Sequence, residues 1–193
     1  MILYDLESIE AKKKLNQPLQ PSTVSKAVSY ELREKNNFAN AEILFGYLIE
    51  ILDEKKNANV KYNEYDVTAF QRAVSTLVRY APSPKDSRYY FNLTLAEFDK
   101  PLRTSTLELT ILNNLVFVHS QHNDTMEDAL NIIKTALEIG VFRFKVTEYY
   151  RHQPSRFNDP LSVFDTLSQK VLRYHGLEFN QDKTDIQKCI KKN

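Results

Sequence analysis

The chain has 193 residues, 42% hydrophobic and 26% charged, a balance that suits one folded domain or two small ones and excludes a disordered chain. Twenty-six Lys+Arg against 25 Asp+Glu leave a formal charge of +1, so no global field announces a polyanionic partner. The three glycines, Gly46, Gly140 and Gly176, stand far apart, which excludes the clustered-glycine phosphate loops, dinucleotide fingerprints and nucleophile elbows.

Residues 2–14 place Ile2, Leu6 and Ile9 at helical spacing, and Pro18 and Pro21 are expected to stop that helix. Ser22 or Thr23 is the expected cap of a second helix with Val24, Ala27, Val28 and Leu32 on its apolar side. A third helix over 38–55 is apolar on nearly every side, the pattern of a central element. A fourth, over 65–80, has the cleanest period: Val67, Phe70, Val74, Leu77 and Val78, capped by Asn63 or Asp66. Helices three and four are expected to pack as an antiparallel pair, burying Phe45, Leu48 and Phe70.

Pro82-Ser83-Pro84-Lys85-Asp86-Ser87 reads as a turn-rich linker. Beyond it the period changes to two: Phe91, Leu93 and Leu95 alternate with Tyr90, Asn92 and Thr94, which predicts a strand over 89–97. Ser105 and Glu108 form a capping-box pattern ahead of a helix through Val118, although Leu115–Val118 also fits a buried strand. Asp124 and Glu127 repeat the capping pattern before a helix that ends at Gly140. Phe142, Phe144 and Val146 alternate with Arg143 and Lys145, predicting a second strand over 141–149. Asp159-Pro160 opens a helix stopped by Gly176, and a last helix is expected over 182–191.

The sum is a mainly α chain with a small antiparallel β element (α+β). It is expected to form a single compact helical domain over 1–193, with a subdivision at 82–87 between a helical half and a mixed half. One cysteine, Cys189, allows no internal disulfide and points to a reducing, intracellular setting, cytoplasm or nucleus. The acidic start, with Asp5 and Glu7, is not that of a signal peptide. No run approaches the ~18–20 apolar residues of a membrane span, so no membrane association is expected.

The one local cluster with metal-ligand chemistry is His119, His122 and Asp124, from which a metal-dependent hydrolase would be built. Its i, i+3 spacing without an intervening Glu departs from the double-histidine zinc motif, and helix capping accounts for the same residues. Cys189, near the end of a short terminal helix, is poorly placed for a thiolate. No catalytic, cofactor-binding or metal-ligating residue is therefore assigned.

Aromatic and basic residues cluster instead, at Arg88-Tyr89-Tyr90, Tyr149-Tyr150-Arg151-His152, Arg156-Phe157 and Arg173-Tyr174-His175. Residues 141–193 hold ten Lys+Arg against six Asp+Glu. Tyr and Arg dominate protein–protein hot spots, while rings beside cations also suit single-stranded nucleic acid. The leading expectation is a non-enzymatic interaction protein, a subunit or adaptor. It would bind a protein partner through Tyr149, Tyr150, Arg151, His152, Arg156, Arg173 and Tyr174. A nucleic-acid-binding module is the alternative, and the hydrolase the second alternative.

Overall fold

The computed structural model describes residues 4–97, 106–138, 160–179 and 190–192, and helix accounts for 79% of them. The chain groups into two compact units, Met1–Thr94 and Leu95–Asn193.

In the first unit, α1 (Leu6–Lys14) starts on a reciprocal capping box between Asp5 and Ser8. It ends before Pro18 is reached. Helix α2 (Pro21–Arg33) corrects the expected role of Pro21, which opens this helix at its first position instead of stopping the one before it. The residue ahead of it, Gln20, makes no side-chain cap bond, so neither Ser22 nor Thr23 is the cap. Helices α3 (Phe38–Asn57) and α4 (Glu64–Tyr80) follow, capped by Asn37 and Asn63. At α4 the two candidate caps act together: Asn63 accepts from the Asp66 backbone N–H, and Asp66 accepts from that of Asn63.

The centre of this unit is α2, not α3. Helix α2 packs extensively against both α3 and α4, which touch each other far less. Small side chains on α2, Ser25 and Ala27, and Ala69 and Ala73 on α4, are all buried and let the backbones approach. Helix α3 buries Leu44, Phe45, Leu48 and Leu52 but leaves Ile43 exposed, so its all-round apolarity does not mark a central helix. Phe45, Leu48 and Phe70 are buried, and the Phe45 and Phe70 rings meet at 5.8 Å.

The expected strand over 89–97 is overturned. Those residues belong to helix α5 (Pro84–Glu97). The Ser83 hydroxyl accepts from the Asp86 backbone N–H and donates to the Asp86 carboxylate, and Pro84 is the first helical residue. The apparent linker is thus a helix start. The buried residues Ser87, Tyr90 and Phe91 fall at i, i+3 and i+4, the period of one helical face.

In the second unit, α6 (Thr106–His119), α7 (Met126–Glu138) and α8 (Pro160–Tyr174) pack on one another. Leu115–Val118 is helical, which settles that ambiguity. Ile111, Leu115, Ile133, Val171 and Leu172 are among the side chains buried here. Gly176, at φ +63°, takes the left-handed conformation that ends α8, as expected of it.

The α+β class is therefore corrected to a helical one. The segment over 141–149 lies outside the described residues, as do Ser105, Gly140 and Asp159. A short antiparallel pairing of Leu177–Phe179 (β1) with Ile190–Lys192 (β2) involves neither expected strand. It also places Ile190 and Lys191 in extended backbone where a terminal helix was expected. Among the described residues, no helix is long and apolar enough to cross a membrane.

Candidate functional site

Of the expected partner-binding residues, Tyr149, Tyr150, Arg151, His152 and Arg156 lie outside the described residues, and Arg173 and Tyr174 lie within them. These two occupy the last turn of α8. The preceding pair, Val171 and Leu172, is buried, which fixes the helix on its neighbours and turns Arg173 and Tyr174 to solvent. Tyr174 is 52% exposed. Its ring meets that of His175 edge-on at 5.2 Å, and an Arg173 Nη donates to Gln169 Oε1 one turn back at 3.5 Å. A cation in the last turn also faces the negative end of the helix dipole.

The ends of α6 and α8 and the start of α7 converge at this place. Lys170 Nζ donates to the Ser120 carbonyl oxygen at 3.0 Å, satisfying an end of α6 that the helix itself leaves open. The Thr125 hydroxyl donates to the His119 carbonyl oxygen at 2.7 Å. His175 Nε2 lies 3.2 Å from the Met126 carbonyl oxygen, and its Nδ1 lies 3.7 Å from Glu127 Oε2. The His175–Glu127 proximity and the role of Lys170 were not legible from the sequence, because each joins residues about fifty positions apart with no shared motif.

The histidine cluster does not assemble as a ligand set. His119 is buried, with Nδ1 3.9 Å from Asp128 Oδ2, whereas His122 is exposed. Asp124 sits in a 3-10 turn, Asn123–Thr125, that His122 precedes, and no side chain caps that turn. The expected Asp124 cap is therefore corrected: the turn interposes itself before α7. Among the described residues, no group of three or more His, Cys, Asp or Glu is placed to hold a metal ion.

The other described cluster, Arg88-Tyr89-Tyr90, is split by helical geometry. Tyr89 is exposed, while Tyr90 enters the core of the first unit, edge-on to Phe38 and Phe45. The Tyr90 hydroxyl donates to Glu42, and burial foremost, then that bond, pushes the phenol above its ordinary titration range.

No family model, no curated protein and no solved structure matches this chain.

Proposed function

We propose that this chain is a non-enzymatic, intracellular interaction protein, a subunit or adaptor that binds a protein partner through the surface around Arg173 and Tyr174. The observation that carries this reading is the exposure of an Arg–Tyr pair on the last turn of a helix whose adjoining residues are buried. Such a pair offers large contact area at little entropic cost, because the scaffold already holds the backbone. The single cysteine supports the intracellular setting.

The test is retention of partners by the full chain from native extract, with and without nuclease, across a salt series. Arg173→Ala and Tyr174→Ala are each expected to weaken retention about 30-fold, the equivalent of ~2 kcal/mol at a hot spot. A packed Tyr/Arg contact responds modestly to salt. Affinity that falls steeply and linearly on log axes, and is lost with nuclease, would assign the surface to nucleic acid instead. Retention unaltered by either substitution in a folded chain would refute the reading.

A further inference from the structure

Helix α1 is fastened to its unit unlike any of its neighbours. Of its nine residues Ile9 alone is buried, whereas α2 buries seven and α4 nine. Leu6 is half-buried beside Ile9, and the hydrogen bonds and ion pairs that hold the helix involve charged groups. The Leu6 backbone N–H donates to Glu31 Oε1 on α2 at 3.1 Å, and Lys35 Nζ donates to Asp5 Oδ2 at 3.2 Å. Lys13 Nζ donates to Glu50 Oε2 on α3 at 2.7 Å and stands 3.7 Å above the Tyr47 ring. Lys26 lies 5.2 Å from the Tyr4 ring. Asp5, Lys13, Lys35 and Glu50 all keep some access to solvent, so salt reaches these contacts.

We propose that α1 is an electrostatically latched arm that releases as a unit while α2, α3 and α4 stay folded. The arrangement of Glu31 supports this. Its carboxylate is buried and accepts from three donors: Leu6 N–H, Lys35 Nζ and Asn40 Nδ2. When α1 leaves, Glu31 keeps Lys35 and Asn40, and water replaces the single lost donor. No charge is stranded, so release carries no penalty for an unpaired buried ion. The α2–α3 junction is also tied without α1, since the Asn37 backbone N–H donates to the Glu31 carbonyl oxygen at 2.8 Å.

The connection permits the movement. Residues 15–18 are exposed, and Asn16 holds a left-handed conformation at φ 51° that marks the end of the arm. The capping box of α1 is internal to it, so the arm carries its own start signal. A free helix of this length is marginal in water, and release therefore unwinds it. The opening bares the seat of Ile9 and the Glu31 carboxylate, which makes α1 a gate over the α2–α3 junction.

Hydrogen exchange of the full chain, read by peptide at about 0.05 M and about 0.5 M NaCl, tests this. Amides of residues 9–14 are expected to exchange about 100-fold faster than interior amides of α2 and α4, and about 3-fold faster again at the higher salt. Asp5→Asn, which keeps the cap acceptor but loses the ion pair with Lys35, and Glu50→Gln are each expected to speed α1 exchange several-fold and leave α2 and α4 unchanged. Exchange of α1 in step with α2 and α4 would overturn the proposal by showing one cooperative unit. Fast α1 exchange indifferent to salt and to both substitutions would also overturn it, because apolar contacts such as that of Ile9 would then be the fastening.

Discussion

Tyr90 offers the sharpest test of the first unit, because its placement depends on residues 84–97 being a helix. The side chain is buried, its ring meets Phe38 at 6.0 Å and Phe45 at 5.9 Å, and its hydroxyl donates to Glu42. Replacing Tyr90 with Phe removes the hydroxyl alone. Glu42 is exposed and recovers water as its partner, so the loss is at the low end for a bond to a carboxylate, about 1.5 kcal/mol. Replacing Tyr90 with Ala empties a ring-sized site against two aromatic neighbours, and the cost rises to about 3–5 kcal/mol. Tyr89→Ala, at a side chain 58% exposed, is expected to cost under ~0.5 kcal/mol despite its edge contact with Tyr90. The assay is hydrogen exchange of the slowest amides of α2 and α4, which report the opening of this unit separately from the other. Equal losses from Tyr89→Ala and Tyr90→Ala, or a silent Tyr90→Ala, would refute the helical placement and the core built on it.

Three further outcomes are expected. Gly46 lies within α3, and a Cβ there would meet nothing within 4 Å, so Gly46→Ala should stabilise the unit by about 0.5–1 kcal/mol in urea unfolding. The Tyr90 phenol titrates above its ordinary value when folded, so its contribution is complete below pH ~10 and declines as the pH rises further; Tyr90→Phe should flatten that alkaline loss in a pH series of melting temperatures. The Ser8 backbone N–H foremost, aided by Lys35, holds the Asp5 carboxyl below the usual range, so its contribution is present above pH ~4 and lost as pH falls through the folded value; faster α1 exchange in acid should be blunted in Asp5→Asn.

The helices that a sequence reader finds most easily here are those whose period and cap agree. Val67, Phe70, Val74 and Leu77 mark α4, and Asn63 with Asp66 marks its start; both signals hold. In α5 they conflict. Phe91, Leu93 and Leu95 alternate, yet Ser83-Pro84 followed by Asp86 is a helix start, and the start signal prevails. The rank of α2 over α3 was hidden for a different reason. Apolar count favours α3, whereas centrality depends on how closely backbones approach, and the small residues of α2 permit that on two sides. Glu31 was equally invisible, since nothing local distinguishes a glutamate buried under three donors from one in solvent.

The same geometry governs how far a doublet in sequence can be read as a patch on a surface. Neighbours on an α-helix point about 100° apart, so a Tyr-Tyr or Arg-Tyr pair stays together on the outside only where the buried stripe of the helix passes to one side of both. At Tyr89-Tyr90 the stripe runs through the second residue, and the pair divides between solvent and core. At Arg173-Tyr174 the stripe passes through Val171 and Leu172, and both following residues face outward. The aromatic–basic composition of the chain thus has two physical roles, sorted by phase along each helix, and of the two described clusters only that on α8 has both its cation and its ring exposed, Arg88 being half-buried beside exposed Tyr89. That sorting is why the partner-binding reading rests on Arg173 and Tyr174 rather than on the count of such clusters.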